Sequence, residues 1–311
     1  MLYKMTRQEP FRVGIVGSCP SGQGLLERLA VLPHCEIVLY EPEASSTDLI
    51  TRPPGLLTTT DWRRFLSAMK LDAVLFLDGR VLDRSQVNSA LDANLPVGLL
   101  PPLPVETLNW PGSGDGSFDQ LRLLNPHREE ADFLAVRGLL KSRPMEPCTA
   151  IKRISWVADL IETEGPPLRD DGWFSEWLWE DLDQLLVLTG ELPASVYAAE
   201  FSEQRQCYSL NLRFPAGVSA QLERRRSSLV PLDLGWTVSS GYAHGRQYIR
   251  TDAGEIYDVP VDSPDRGIDP LAVFDGPGDP ENAWHHAMGV LKVQAAVLES
   301  AASGQVILMS D

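Results

Sequence analysis

Short apolar runs alternate with helical patterns through the first hundred residues of the chain. The apolar runs cover residues 13–16, 36–40, 71–77 and 96–100. Near-continuous runs of this kind are typical of parallel strands that are covered on both faces. Between them, apolar residues recur at helical spacing near residues 25–31, 61–70 and 85–93, and Asp61 is the expected N-cap of the second helix. Strands that alternate with helices predict a parallel sheet, so we expect an α/β fold.

The stretch Arg12–Glu41 carries the most specific pattern in this half of the chain. An apolar run leads into a turn that contains Gly17 and Gly22, and a helical pattern, a second apolar run and the acidic Glu41 follow. Strand, glycine turn, helix, strand and acid form the opening βαβ unit of a Rossmann-type dinucleotide-binding domain. In such a unit, the glycines let the backbone approach a pyrophosphate at the positive end of the helix.

The turn departs from the usual glycine pattern at two positions. Cys19 stands where the second glycine is expected, so a side chain occupies the place where backbone would touch phosphate. Pro20 follows, and it lacks an amide donor. Glu41 is placed to accept hydrogen bonds from a ribose diol, which favours NAD over NADP because a carboxylate repels a 2′-phosphate. Two interpretations stay open: a cofactor site built on Gly17, Cys19, Gly22 and Glu41, or a Rossmann scaffold that no longer binds nucleotide.

The second half of the chain has mostly strand-like segments, with one helix among them and one after them. A helix is predicted from Phe174 to Leu188, ended by Gly190, and the last helix runs from Pro280 to Ser303. Strand-like segments are 151–162, 195–202, 207–214, 218–226, 235–242, 246–251 and 255–259. We therefore predict a doubly wound parallel sheet in residues 1–124, and an α+β domain with a large, mostly antiparallel open sheet in residues 125–311.

The net charge disfavours two classes of partner, and the cysteine spacing bears on the cellular location. The 311 residues carry 27 Lys and Arg against 43 Asp and Glu, a formal net charge of −16. Nucleic acids and anionic membranes attract basic surfaces, so neither is expected as a partner. No apolar run approaches the length of a membrane span, and the N-terminal residues lack the apolar core of a signal peptide. The four cysteines show no CxxC spacing, which favours reduced thiols and a cytoplasmic location.

The order of these motifs resembles the Gfo/Idh/MocA oxidoreductases, the family of glucose–fructose oxidoreductase and inositol dehydrogenase. The resemblance covers nearly the whole chain and rests on the segments Val13–Gly17, Asp72–Val74, Ala90–Val97 and Gly172–Asp183 and on a final helix that ends near Gly304. It implies NAD(P)-dependent chemistry on a sugar or polyol, a small-molecule ligand rather than a macromolecule, and a homo-oligomer. In this family register, Asp78 and Pro102 also belong to the cofactor site.

The positions that carry catalysis in that family differ here. Leu100-Pro101-Pro102 replaces the family's Glu-Lys-Pro, so Pro101 stands in place of the lysine that orients the nicotinamide. Glu180 stands in place of the catalytic histidine, and Glu176 replaces the aspartate that precedes it. Asp183 retains the last acid of the motif. Glu180 could act as a general base, with Asp183 and Glu176 assisting it.

Glu176, Glu180 and Asp183 are spaced at i, i+4 and i+7, and Asp181 lies beside them. This spacing places the three acids on one helical face, which the resemblance directs into the cleft between the domains. Such a face could accept protons, bind a polyol or hold a cation, or it could simply be solvated. A metal site is not expected, because no histidine lies at ligand spacing in this helix.

Two further clusters in the second half have a structural explanation as the default. Aromatic residues crowd the start of the helix at Trp173, Phe174, Trp177 and Trp179, which suits a core or a subunit interface better than a sugar-stacking platform. The run Arg224–Arg226 lies on a predicted strand, where alternate side chains point to opposite faces. A solvated edge is its default environment, and an acidic neighbouring subunit is the alternative.

The sequence therefore supports two functional hypotheses. The first is an NAD(P)-dependent oxidoreductase of a sugar-like substrate, with Glu180 as the base. The second is a catalytically inactive relative that serves as a ligand-binding sensor or a structural partner subunit, because both the lysine and the histidine are replaced.

Overall fold

In a computed structural model, the chain folds into two compact units. The first comprises Met1–Asn125 and Ile268–Leu291, and the second comprises Pro126–Gly267 and Lys292–Asp311. The structure describes residues 10–17, 20–40, 57–79, 82–110, 120–125, 128, 133–134, 137, 153–161, 173–202, 207–227, 234–238, 248–250, 256–258, 271, 274 and 284–309.

The first unit contains a six-stranded sheet in which every pairing is parallel. Its strands are β1 (Phe11–Val16), β2 (Cys35–Tyr40), β3 (Leu57–Thr59), β4 (Ala73–Phe76), β5 (Val97–Leu99) and β6 (Leu121–Leu123). Their spatial order is β3-β2-β1-β4-β5-β6, which is the order of a doubly wound dinucleotide-binding sheet. The predicted α/β fold with a parallel sheet is confirmed.

Three helices follow strands of this sheet: α1 (Pro20–Ala30), α2 (Trp62–Ala68) and α3 (Arg84–Asp92). Asp61 caps α2 as predicted, because its Oδ1 accepts a hydrogen bond from the Arg64 amide at 3.1 Å. Asp83 caps α3 in the same way, with the Ser85 amide at 2.7 Å. A 3₁₀ helix, Val105–Asn109, follows the loop after β5.

The core of the first unit forms where the central strands meet their helices. Val13 and Ile15 of β1, together with Leu26 and Leu29 of α1, are completely buried in one cluster. Gly14 lies between Val13 and Ile15 on β1, and a Cβ placed on it would lie 2.5 Å from Cζ of Phe65 on α2. The glycine therefore allows α2 to pack directly on the middle of β1, which places the end of that strand accurately.

The second unit contains another six-stranded sheet, whose strands are β7 (Arg153–Ile161), β8 (Ser195–Ser202), β9 (Cys207–Arg213), β10 (Ser219–Ser227), β11 (Leu234–Val238) and β14 (Ile307–Leu308). Their spatial order is β11-β7-β10-β9-β8-β14. The β7–β10 pairing is parallel, and the other four pairings are antiparallel. The predicted mostly antiparallel sheet is confirmed, and β12 (Tyr248–Arg250) with β13 (Ile256–Asp258) adds a separate antiparallel pair.

Two long helices complete the described structure: α4 (Trp173–Thr189) and α5 (Trp284–Ser303). Each ends at a glycine with positive φ, Gly190 at +70° and Gly304 at +68°, whose amide bonds back to a carbonyl four residues earlier. Both glycines were predicted as helix ends, because glycine adopts this conformation without strain from a Cβ. Within the ranges that the structure describes, neither these helices nor the shorter ones have the length and apolar character needed to cross a bilayer.

Candidate functional site

The carboxyl ends of β1 and β4 lie side by side where the strand order reverses. Gly17 follows β1 and has φ of +78°, a conformation that glycine adopts readily and other residues rarely. The Leu77 amide donates to the Val16 carbonyl at 2.9 Å, and a Cβ added at Gly17 would lie 3.6 Å from Cβ of Asp78. Gly17 and Asp78 are therefore neighbours at the position where doubly wound sheets bind ligands.

Helix α1 begins three residues after Gly17, so its N-terminus follows directly from this switch point. Pro20 is the first helical residue, a position where an amide has no partner within the helix and where proline is favoured. Gly22 lies in the first turn and is buried. Cys19 and Glu41, the other predicted members of the cofactor site, lie outside the described residues, although Glu41 follows directly after β2 in sequence.

The loop after β5 completes this edge of the sheet. The Gly79 amide donates to the Leu100 carbonyl at 3.1 Å, and a Cβ on Gly79 would clash with the carbonyl oxygen of Pro102. Pro102 is buried, and the peptide bond between Pro101 and Pro102 is cis. Neither proline has an amide hydrogen or a polar side chain, so this part of the edge offers a ligand only carbonyl oxygens and apolar surface.

The acidic helix α4, in the second unit, holds its four acids in different environments. Glu176 and Glu180 are partly exposed, whereas Asp181 and Asp183 are completely buried. The predicted face is thus divided: the two glutamates remain accessible to a ligand, and Asp183 does not. The catalytic assignment of these residues stays a prediction.

Asp183 is engaged by an arginine that the sequence did not single out. Arg128 donates from Nε to Oδ2 at 2.6 Å and from Nη2 to Oδ1 at 2.5 Å, and only 6% of its side chain is exposed. Two parallel hydrogen bonds between a planar guanidinium and a carboxylate give a strong and directional ion pair. Asp183 is therefore neutralised within the protein and is better suited to orient α4 than to exchange protons with a substrate.

Asp181 lies at the centre of a second buried cluster. The Tyr208 hydroxyl donates to its Oδ2, and Arg224 donates from Nη2 to its Oδ1 at 2.9 Å. The same Nη2 lies 3.5 Å from Oε2 of Glu180, whose side chain is one-third exposed. Tyr208 on β9 and Arg224 on β10 are direct cross-strand partners, which places both side chains on the same face of the sheet.

Burial and charge shift the titration of these groups. Burial, reinforced by the negative charge of Glu180, raises the pKa of Asp181 to about 6 despite the opposing effects of Arg224 and Tyr208. Burial and the charge of Asp181 raise the pKa of the Tyr208 hydroxyl well above its ordinary value. Burial alone would lower the pKa of Arg224, but the combined effects of Asp181, Tyr208 and Glu180 outweigh burial and raise that pKa, so the guanidinium stays protonated. The arginine therefore carries the fixed positive charge of the cluster.

Two of the aromatic residues near the start of α4, Trp177 and Trp179, lie among the described side chains, and both have structural roles. Trp179 is 1% exposed, so it belongs to the core. Trp177 is partly exposed, and the guanidinium carbon of Arg224 lies 5.0 Å from its ring centroid, a cation–π contact. Trp177 thus covers the charged cluster, while the side chains of Trp173 and Phe174 lie outside the described residues. Among the described side chains, no group of three potential metal ligands occurs.

Sequence reasoning missed the partners of the two aspartates. Arg224 was expected at a solvated edge or against another subunit, but it is buried and pairs with Asp181 of its own chain. The pairing of Arg224 with Tyr208 across β10 and β9 depends on the tertiary fold and cannot be predicted from the sequence. The alternation of side chains along the strand indicates only that the three arginines do not all face the same side. Nothing in the sequence around Arg128 pointed to Asp183, 55 positions away.

The sheet order and the glycine turn at its switch point define a Rossmann-type α/β protein with a second, largely antiparallel unit. Solved structures of this class match nearly the whole chain. An NAD-binding protein from Listeria innocua matches with a TM-score of 0.70 at 17% identity, covering 96% of this chain and 97% of its own. A scyllo-inositol dehydrogenase from Lactobacillus casei, with bound NAD(H) and scyllo-inositol, matches with a TM-score of 0.67 at 14% identity, covering 96% and 99%.

An oxidoreductase from Agrobacterium radiobacter, in complex with NAD+, L-tartaric acid and magnesium, matches with a TM-score of 0.71 at 12% identity, covering 96% and 98%. At such identities the likeness establishes the fold and leaves the reaction open. No family model and no curated protein matches the sequence. The structural neighbours are thus NAD-binding oxidoreductases, with inositol dehydrogenases among them.

Proposed function

We propose that the protein is a Gfo/Idh/MocA-type oxidoreductase that uses NAD(H) to interconvert a carbinol and a carbonyl on a sugar-like or polyol substrate. The observation that carries the proposal is the switch point of the first sheet. There Gly17, at φ +78°, lies three residues before the first residue of α1 and beside Asp78. A dinucleotide pyrophosphate binds at this position in doubly wound sheets.

The residues at this edge fit a dinucleotide. Gly17 adopts the turn that brings backbone close to phosphate, and α1 has no acidic residue in its first turn to repel it. Arg28 in its last turn complements the other end of the helix dipole. Glu41 follows β2 and would accept hydrogen bonds from the hydroxyls of the adenosine ribose. Because its carboxylate would repel a 2′-phosphate, we propose NAD rather than NADP as the cofactor. Pro20 lacks an amide donor and Cys19 adds a side chain at the phosphate turn, so we expect modest rather than tight affinity.

Glu180 would act as the general base that accepts the substrate's hydroxyl proton. The cofactor would supply a hydride acceptor for the carbinol carbon, and the hydroxyl proton of the same carbinol must be taken up by a residue of the protein. Glu180 is the accessible carboxylate of its cluster, and Arg224 holds it from one side at 3.5 Å. Asp183 and Glu176 would support the geometry, Asp183 through its ion pair with Arg128. Pro101 stands where the family has its lysine, so that proton donor is absent here.

Thermal shift with NAD(H) and NADP(H) tests the proposal directly. A nucleotide present at ~100 times its Kd stabilises the folded state by roughly 2.7 kcal/mol, which raises the melting temperature measurably. We expect a shift with NAD(H) and a smaller one with NADP(H). The absence of a shift with either nucleotide would overturn the oxidoreductase proposal.

Turnover is then tested with myo-inositol, scyllo-inositol and L-tartrate as probes, followed by the change in NADH absorbance. Glu180→Gln removes the proton acceptor and should lower kcat by about 10²-fold or more, since general-base catalysis contributes 10²–10⁴-fold. Glu299→Gln, an exposed glutamate on α5, is the matched control and should leave kcat unchanged. Unchanged turnover in Glu180→Gln would remove this residue from the mechanism.

A second candidate is a family member that binds ligand without turnover. Two observations favour it: Asp183 is neutralised by Arg128, and the loop at Pro101 and Pro102 carries no proton donor. This protein would show the NAD(H) thermal shift but no absorbance change with any polyol. The nucleotide experiment and the turnover experiment together distinguish it from the enzyme.

A further inference from the structure

Asn125 carries a buried side-chain amide that forms no hydrogen bond with the residues that the structure describes. Only 4% of the residue is exposed, and neither Oδ1 nor Nδ2 has a hydrogen-bond partner in the described part of the chain. Nearly all buried polar atoms in native proteins are hydrogen-bonded, and an unsatisfied one lowers the stability of the folded protein. Within the part of the chain that the structure describes, Asn125 is the one side-chain amide with both atoms orphaned. This cost points to a ligand that satisfies the amide.

The position of Asn125 identifies the part of the site that it serves. Leu99 of β5 pairs with Leu123 of β6, and the Leu124 amide donates to the Leu99 carbonyl at 2.9 Å. Asn125 therefore lies two residues beyond the last paired position, as Pro101 does on the neighbouring strand. It belongs to the same carboxyl edge as Gly17, and to the same unit.

A helix-capping role does not account for the side chain. Asn125 precedes Pro126, and an asparagine before a proline commonly caps the helix that the proline begins. A cap requires the side-chain oxygen to accept a backbone amide two or three residues later. Oδ1 of Asn125 accepts no hydrogen bond from the described residues, among them Arg128 three positions later, so no such cap is seen there.

The half of the sheet that holds Asn125 selects the ligand group. Glu41 follows β2, so the β1–β3 half faces the adenosine ribose, and the β4–β6 half faces the second nucleotide. Strand β6 lies two spacings, about 10 Å, from β4, a distance that a ribose and a pyridine ring span from a pyrophosphate at the switch point. Pro101 and Pro102, which follow the strand between β4 and β6, have no amide hydrogen to donate. A neutral planar amide with one acceptor and one donor is complementary to another carboxamide.

We propose that Asn125 binds the carboxamide of the nicotinamide ring through paired amide hydrogen bonds, and so holds the ring at an edge from which the family's lysine is absent. This inference rests on the proposed NAD(H) function. It assigns a cofactor-binding role to a residue outside the glycine turn, and it explains why the protein retains a buried amide at a cost to its own stability.

Comparison of NADH with ADP-ribose isolates this contact, because ADP-ribose keeps the adenosine, pyrophosphate and second ribose but lacks the nicotinamide. We expect Asn125→Leu and Asn125→Ala to weaken NADH binding about tenfold by titration calorimetry, the loss of one or two hydrogen bonds, with ADP-ribose affinity unchanged. Asn125→Leu should also melt at or above the wild-type temperature without nucleotide, because it removes two orphaned polar atoms.

Thr107→Val is the matched control. Thr107 lies on the 3₁₀ helix after β5, is 1% exposed, and its Oγ1 is also orphaned. The variant removes a buried polar atom from the same unit and should leave the ratio of NADH to ADP-ribose affinity unchanged.

The outcomes separate this inference from the function on which it rests. Wild-type protein that binds neither nucleotide would overturn the oxidoreductase proposal and this assignment with it. Wild-type protein that binds both, with an unchanged affinity ratio in the Asn125 variants, would overturn only the role of Asn125. Equal weakening of both ligands, or a fall in melting temperature of Asn125→Leu, would also refute it, since either result indicates a structural residue.

Discussion

Asp181 and Asp183 lie two residues apart on α4, are equally buried, and are neutralised in different ways. Asp183 forms two short hydrogen bonds to one guanidinium, whereas Asp181 shares Arg224 with Glu180 and takes a second hydrogen bond from Tyr208. A buried ion pair is weak evidence for net stability, but removal of one partner leaves a charge without compensation. The two aspartates therefore respond differently to mutation and to pH.

Arg128→Met should destabilise the protein by about 3–5 kcal/mol in chemical denaturation, because it leaves the Asp183 carboxylate buried without its partner. The double variant Arg128→Met with Asp183→Leu should recover most of that loss, since it removes both charges. Arg12→Gln is the control: Arg12 pairs with Glu36 at 2.6 Å, but both side chains are about one-third exposed. That variant should cost less than about 1 kcal/mol. A loss as small as that in Arg128→Met would show that Asp183 does not depend on this pair.

Asp181 makes the stability depend on pH. Its pKa is raised from 3.8 to about 6 in the folded state, so the folded protein binds the proton more tightly than the unfolded chain does. The resulting stabilisation is present at low pH and is lost as the pH rises through 6. Relative to Asp181→Asn, which does not titrate, wild type should therefore lose about 2 kcal/mol between pH 4.5 and pH 7. Urea denaturation of both proteins across this range tests the sign, and a constant difference would contradict it.

At the scale of elements, β1 and α1 place the candidate cofactor site because their packing leaves little freedom. Gly14 allows Phe65 of α2 to lie against β1, and Gly79 allows the loop after β5 to close against β4. The local patterns identified these strands and helices well, because each carries its own apolar period and its own cap or terminal glycine. They could not identify Gly14 as a packing residue, since the contact joins elements that are remote in sequence.

Gly14→Ala tests this contact. The added methyl group would lie 2.5 Å from Cζ of Phe65 and 2.7 Å from Cδ1 of Leu71, so β1 or α2 must shift. We expect a loss of about 1–3 kcal/mol in chemical denaturation. Ala30→Ser, an exposed substitution at the end of α1, should change stability by less than about 0.5 kcal/mol. If the two variants have the same stability, the close packing of α2 on β1 is not energetically important.

Helix α4 shows what an element-level pattern can and cannot predict. The spacing of Glu176, Glu180 and Asp183 correctly placed three acids on adjoining positions of one face. Periodicity does not reveal how far a neighbouring element extends over that face. In the structure, the surrounding elements cover Asp183 and leave the glutamates partly exposed, so the acids that share a face do not share an environment.

At the scale of the whole molecule, we propose that the protein is a homo-oligomer. Strand β14 forms one edge of the second sheet; Leu308 within it is 78% exposed, and Val306, directly before it, is 55% exposed. Apolar side chains on a sheet edge favour pairing with another chain. Light scattering should give a mass that is at least twice the 34.4 kDa of one chain. A monomeric mass at micromolar concentration would refute the proposal.

The sequence by itself determined the order of strands and helices, the parallel character of the first sheet and the glycines that end the helices. These features depend on residues close together in the chain, whose spacing and backbone preferences act locally. Only the tertiary structure decided that Arg128 neutralises Asp183, that Arg224 turns inward to Asp181, and that Asn125 is buried with its amide unsatisfied. Burial and charge pairing arise between residues many positions apart, so the chain must fold before these properties exist.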